Sequence, residues 1–330
     1  MNNKWGGLIG LWLRPVLAGS LMGGVSTSVF AGQEYIQQLT AEAGYRVDQL
    51  DWNIGGVNTG RTDQFVNVLS ELTWRDVKIS QVALQMDSQD KHGFRLRWRM
   101  SFGTVFDGNN QDSDFDYDNR QGEFSRSNND ADGDVSDLSI GLGRQYEINM
   151  FGRIYQLMPA LGYSLSRQNF EMRNGFQTLF VPTPGGAPDL SEVGPIPGLD
   201  STYDTKWKTF WLGLDVGVQQ TKKLRWLAGV KFHAGDLTAR ANWNLRTDFA
   251  HPLSFEHWAD GYGFAATFGS QYKLAENLSM TVMLDYQSWS TERGVDRVYF
   301  SSGSNVDTPL NEVNWKTTSV HVGLIWCLNH

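Results

Sequence analysis

From Gly93 to Phe106 the chain reads GFRLRWRMSFGTVF, and apolar and polar residues take turns along it. Phe94, Leu96, Trp98, Met100 and Phe102 share one parity, while Arg95, Arg97, Arg99 and Ser101 share the other. Successive strand side chains point to opposite faces, so this period of two predicts a strand with one apolar and one wet face. A helix would scatter both sets around its circumference. The same alternation returns in KWKTFWLGLDVGVQQ, where Phe210, Leu212, Leu214, Val216 and Val218 oppose Thr209, Gly213, Asp215 and Gly217. In LSMTVMLDYQSW, Leu278, Met280, Val282, Leu284 and Tyr286 oppose Thr281, Asp285 and Gln287. Near the end, Val320, Val322, Leu324 and Trp326 oppose Ser319, His321 and Gly323. The second face is polar or glycine each time. An apolar face towards lipid and a polar face towards a hydrogen-bonded lumen fits a transmembrane barrel.

Strands are predicted near residues 39–54, 64–75, 93–106, 135–148, 153–172, 205–220, 224–243, 262–274, 278–300 and 312–326. The segment 76–92 fits this scheme least well. Short turns (TKK after Gln220, AEN after Leu274) alternate with long polar loops. An even number of strands with short turns on one side predicts an all-β fold: a transmembrane antiparallel β-barrel of about ten strands, with short periplasmic turns and long extracellular loops. A soluble exported sandwich or barrel is the alternative. Trp52, Trp74, Trp207, Trp289 and Trp315 lie towards strand ends, where interfacial aromatic girdles are expected. The inward arginines need partners, and parity offers Glu71, Asp137, Asp215 and Asp285. An ion-pair network of this kind would plug a narrow barrel.

Composition narrows the class. The first residues carry Lys4 and Arg14, a short apolar stretch and a small-residue pattern at Val29 and Ala31, as in a secretory signal cleaved after Ala31. Residues 32–330 then form one barrel domain. No later run approaches the ~20 apolar residues of a spanning helix. One cysteine, Cys327, makes no internal disulfide. Aromatic content of 13 % and 35 glycines suit a β protein. The third long loop, from Phe180 to Asp200, holds five of the nine prolines and is expected to be a semi-rigid surface loop or lid.

Charge is concentrated. The window Asp107 to Asp134 carries nine acidic residues against Arg120 and Arg126, in a chain whose formal charge is only −8. By the strand count it belongs to the second extracellular loop, where a negative mouth suits cations or basic peptides. Three readings compete: a solvated repulsive loop, a cation site, and a water-activating carboxylate pair. For the cation site, Asn128, Asp130, Asp132 and Asp134 alternate around Gly133 as at the start of an EF-hand loop and could hold Ca²⁺. Ser139 stands where the twelfth-position glutamate belongs. For the carboxylate pair, Asp114 and Asp116 face the same way on an extended segment. No nucleotide-binding loop, zinc spacing or nucleophile elbow is present, and the acidic loop disfavours nucleic acid.

SELTW (Ser70 to Trp74) followed by DFDY (Asp114 to Tyr117) resembles the omptins, outer-membrane proteases with a Ser-Gln-Leu-Asp-Trp stretch before an Asp-x-Asp-Trp loop. The resemblance implies a ten-stranded barrel whose extracellular cleft cuts peptides between basic residues. It also implies water as the nucleophile between an Asp pair and an Asp–His pair, and lipopolysaccharide as activating lipid. It places Asp114 and Asp116 in the first pair. The second pair departs from the pattern, because Asn244 to Gly261 contains no Asp-x-His. His257 follows Glu256 as the omptin histidine follows a glutamate, yet Phe255 occupies the aspartate's place. Asp248 with His251, or His257 with Asp260, would need a different geometry. The catalytic candidates are therefore Asp114, Asp116 and His257. The expected protein is a monomer in outer-membrane lipid that binds, and on this resemblance cleaves, cationic peptides or proteins. The alternative is a catalytically silent surface barrel: an adhesin, a structural protein or a narrow solute channel.

Overall fold

The computed structural model describes residues 35–328, so the leader assigned to residues 1–31 lies outside the described residues, as do Asn329 and His330. Ten long strands close into one antiparallel ring. They are β1 (Ile36–Val57), β2 (Phe65–Gln89), β3 (Phe94–Tyr117), β4 (Gln121–Arg144), β6 (Arg153–Phe180), β8 (Ser201–Gln219), β9 (Leu224–Asn242), β10 (Phe255–Lys273), β11 (Leu278–Thr291) and β13 (Asn305–Cys327). Three short strands, β5 (Tyr146–Met150), β7 (Gly194–Pro195) and β12 (Gly294–Tyr299), extend the hairpins at either end. β1 closes on β13 with Gln38 opposite Cys327 and Leu50 opposite Trp315, which removes both sheet edges. No helix among the described residues is long and apolar enough to cross a membrane; the crossing elements are strands.

Several strands run 19–28 residues, well beyond the ~9–11 that span a bilayer. The surplus projects past the lipid at the end away from the short turns. Residues 76–89, the poorest part of the predicted pattern, are the inner half of β2, which turns into β3 at Asp90–Gly93. The acidic window is likewise strand rather than loop. Asp107–Tyr117 belong to β3 and Gln121–Asp134 to β4, joined by a tight turn at Asp118–Arg120. Beyond β6, the proline-rich segment stays irregular except for one 3-10 turn at Leu190–Glu192 and the brief β7 pairing.

On the outer face of the ring Phe94, Leu96, Phe102, Phe210, Leu212 and Val322 are exposed, the apolar band that lipid requires. This parity does not persist to the strand tops. At Arg75–Asp76 in β2 and Phe106–Asp107 in β3, two successive residues are exposed and the ladder loses register. Such bulges exchange the two faces of a strand. Above them Leu72 and Trp74 enter the core while Glu71 pairs with Arg120 on the rim, so Glu71 is no partner for the lumen arginines.

The five tryptophans expected in interfacial girdles lie inside the barrel instead. Trp52, Trp74, Trp207, Trp289 and Trp315 are each at most 2 % exposed. With Tyr203, Phe170 and aliphatic side chains they form a layer to which every one of the ten ring strands contributes. Trp289 stacks on Trp315 with centroids 5.6 Å apart, and Trp207 lies 5.5 Å from Trp289. Trp74 stacks on Tyr203 at 5.3 Å. Glycine makes room: a Cβ at Gly263 would come within 2.6 Å of the Trp289 ring. The outer half of the lumen is thus an apolar core, against the expectation of a polar interior throughout.

Below this layer the lumen is polar. Arg97 bonds Asp87 and Asp215 at 2.9 and 2.7 Å, Arg95 bonds Asp87 at 2.7 Å, and Arg99 bonds Glu42 at 2.9 Å. Asp137 serves Arg46 at 2.8 Å, beside Asp48, and Asp285 stands 3.5 Å from His321. Of the four carboxylates expected to face inward, Asp137, Asp215 and Asp285 do so. Buried pairs of this kind hold geometry more than they add stability, since desolvation offsets most of their attraction.

Candidate functional site

Above the aromatic layer, at the end that projects past the lipid, the β3 bulge turns Asp112 and Asp114 inward. Ser70 of β2 lies directly opposite Asp114 in the ladder and hydrogen-bonds it. Trp243 and Arg246, from the connection between β9 and β10, act on Asp112, the first by a hydrogen bond and the second by its charge. Burial, with Asp114 as a like charge, pushes the Asp112 carboxyl up to about 8, against the opposing pull of Arg246 and a hydrogen bond from Trp243. Burial also raises Asp114, opposed first by Ser70. Two carboxyls in one site cannot both ionise cheaply, so the pair retains a proton near neutrality.

A pH dependence of stability follows. Unfolded aspartates ionise near pH ~3.9. A folded-state value raised above that contributes stability fully present at lower pH and lost as pH rises through about 8. Asp112→Asn should therefore raise the melting midpoint more at pH 8 than at pH 5, measured by calorimetry in detergent. Equal shifts at both would mean that this carboxyl ionises normally.

Asp116 is differently placed. Arg61 grips it with both arms, Nε to Oδ1 at 2.6 Å and Nη2 to Oδ2 at 2.8 Å, and Asn58 donates at 2.9 Å. The carboxylate is 2 % exposed, and the Arg61 guanidinium stacks on Phe124 at 3.8 Å. A charge-assisted fork of this kind spends the carboxylate's acceptor capacity on the protein. The proton-holding pair is Asp112 with Asp114, one step down the strand from the pair singled out in the sequence.

His257 is 1 % exposed and packs edge-on against Trp52, 5.0 Å between centroids. Its Nδ1 meets the Tyr203 hydroxyl at 2.9 Å. Its Nε2 lies 3.1 Å from Asp296 Oδ1, at ion-pair distance though out of line for a hydrogen bond. Asp296 in turn accepts from Thr308 at 2.7 Å. The histidine thus has an orienting carboxylate, but neither Asp248 nor Asp260. It comes from β12, where Asp296 is directly opposite His257 in the β10–β12 register. Sequence spacing alone cannot reveal such a partner; the cross-strand register does. Asp248 holds Arg246, and His251 bonds Asn242 and the Arg246 carbonyl on the exposed connection.

The two halves do not share an open cleft. Trp243, which bonds Asp112, packs against Trp52 at 6.4 Å, and Trp52 covers His257. The calcium candidates are also dispersed. Asn128, Asp130, Asp132 and Asp134 lie along the exposed outer face of β4. Asp130 accepts from Asn174, Asp132 stands 3.4 Å from Arg173, and Asp134 accepts from Asn169. A straight strand keeps such side chains apart rather than wrapping them round an ion.

A family model described as Pom, Protochlamydia outer membrane protein, matches residues 40–328. The chain belongs to the Pom family. This places it in the outer membrane, in agreement with the closed strand ring and its apolar outer band. No curated protein matches the sequence. Among solved structures, the outer membrane protease OmpT from Escherichia coli is similar with a TM-score of 0.69 at 14 % identity, over 89 % of this chain and 97 % of that one. The translocator domain of the autotransporter NalP from Neisseria meningitidis matches at a TM-score of 0.35 and 11 % identity, covering 87 % and 88 %. OprG from Pseudomonas aeruginosa matches at 0.31 and 10 %, covering 90 % and 99 %. The likeness to the omptin protease is one of fold: it supports an outer-membrane β-barrel for this Pom protein and does not extend to membership of the omptins.

Proposed function

We propose that this Pom protein is a closed, catalytically silent surface barrel whose acidic outer mouth binds cationic groups, such as the arginine and lysine side chains of peptides or proteins. One observation carries the reading: the candidate base, His257, is buried behind Trp52, with Nδ1 on the Tyr203 hydroxyl and Nε2 facing Asp296. A general base must come within about 3 Å of the proton it removes, directly or through one water. Asp116, held by Arg61 and Asn58, is no freer to activate water. Asp112 and Asp114 share a proton near neutrality and make no ion pair among the described residues, so together they leave about one negative charge at the mouth for a cationic guest.

A second reading, an omptin-like peptidase, is favoured by one feature. The His257–Asp296 pair and the Asp112–Asp114 pair together supply an oriented base and a proton-holding carboxyl dyad. Cleavage would require Trp52 and Trp243 to part. Refolded protein, with lipopolysaccharide, should bind labelled Arg-Arg and Arg-Lys peptides in a salt-sensitive manner and leave them intact. The double substitution Asp112→Asn, Asp114→Asn should weaken that binding about tenfold, as expected for ~1–1.5 kcal/mol of partly screened attraction. Turnover lost in both His257→Ala and Asp114→Asn would establish the peptidase instead.

A further inference from the structure

The inner half of the lumen, between the aromatic layer and the short-turn end, encloses a polar cavity of about 280 Å³. Most charged groups lining it are paired, but two cations are not. Among the described residues neither Lys231 nor Arg225, both on β9, makes an ion pair. Lys231 Nζ instead sits 4.5 Å above the Trp211 ring. Arg225 lies across Gly217, which has no side chain to displace it, and its Nε has no partner. Asp215 and Asp285 act on Lys231 from a distance; Asp215 is bonded to Arg97, and Asp285, 3.5 Å from His321, forms no ion pair with Lys231. Lys231 and Arg225 are thus the two cations of this lining without an ion pair among the described residues.

Two ring nitrogens near these cations are also without partners. Trp211 and His233, 8 % and 7 % exposed, are opposite one another on β8 and β9, and both line the cavity. Trp211 Nε1 and His233 Nε2 are buried without a hydrogen-bond partner. An indole N–H can only donate. The Thr209 hydroxyl lies 3.2 Å from His233 Nδ1. A buried donor left unmatched costs free energy comparable to a lost hydrogen bond.

We infer that this cavity is an anion site, taking a small carboxylate or phosphate beside Lys231 on the β9 wall. Arg225, nearer the turn at residues 220–223, continues the positive lining towards the periplasmic entrance. An oxyanion supplies a direct ionic partner for a cation that has none, with several acceptor oxygens. A cation would be repelled by the unpaired Lys231. Water could satisfy the donors but would leave Lys231 without an ion pair.

The test uses the full refolded chain in detergent, titrated calorimetrically with inorganic phosphate and, separately, sodium acetate at fixed ionic strength. Saturable binding of at least one is expected. Lys231→Met should weaken it tenfold or more, Lys231→Arg should largely retain it, and Arg225→Gln should weaken it a few-fold. Absence of saturable heat with both anions overturns the proposal, as does equal affinity in Lys231→Met. If Lys231→Met fails to refold, crystals of the wild-type barrel soaked in bromide decide the matter. An anomalous peak beside Lys231 Nζ supports the site, and its absence refutes it. None of these outcomes depends on the peptide-binding reading of the outer mouth.

Discussion

Replacing Trp207 with alanine is expected to destabilise the barrel by about 3–5 kcal/mol, the range for removing a fully buried tryptophan from a packed core. The indole is 0 % exposed and touches both Trp289 and Trp315. It belongs to the one layer that separates the outer mouth from the polar inner cavity. Its loss should also leave a gap across the lumen, because rigid strands cannot close over it. Urea unfolding in lipid vesicles would measure the first effect. Trp207→Phe, which keeps an aromatic ring in the layer, should recover part of the loss. A Trp207→Ala barrel as stable as the wild type would mean that these rings fill space without bearing on the fold.

The location of that layer was legible in the sequence. Trp207 shares the parity of Thr209 and Asp215, Trp289 that of Asp285, and Trp315 that of His321, all inward residues. Alternation alone would have placed three of the five tryptophans in the lumen, although all five were expected in the girdles. The habit of placing tryptophan at membrane interfaces pointed the other way, and burial decided for alternation. Trp74 was harder, because the bulge at Arg75–Asp76 reverses the faces of β2 and leaves no signature that parity can follow. The aspartates of QDSDFDYDN carry the same lesson. Their spacing of two is itself a strand pattern, and β3 continues through them although their charge suggested a loop. The ten-strand ring and the lipid-facing parity emerged from periodicity because lipid imposes them on every strand. The partnership of His257 with Asp296 depends on how β10 and β12 align, and no local pattern encodes that.

Leu212→Arg is the second large effect. Leu212 is 65 % exposed on β8, between Phe210 and Leu214 on the same outward face. In lipid that exposure is burial in hydrocarbon, and an arginine near the midplane costs about 2–4 kcal/mol. The neighbouring Thr209, buried and inward, offers the control: Thr209→Ser keeps the hydroxyl beside His233 and should change stability far less. Folding yields should be read from the shift in gel mobility between unboiled and boiled samples, since a closed barrel resists detergent until heated. Equal yields for Leu212→Arg and wild type would remove Leu212 from the lipid face.

The central claim is that the lumen is closed by side chains from all ten ring strands, with the polar cavity lying on the short-turn side of that layer. Single-channel recording of the refolded wild-type protein in a planar lipid bilayer tests this most directly. The account predicts no steady conductance under applied voltage, with ion flow appearing only when the layer is breached, as in Trp207→Ala. Stable, ohmic openings in the wild-type barrel would contradict it, because ions cannot pass a packed aromatic layer that excludes water.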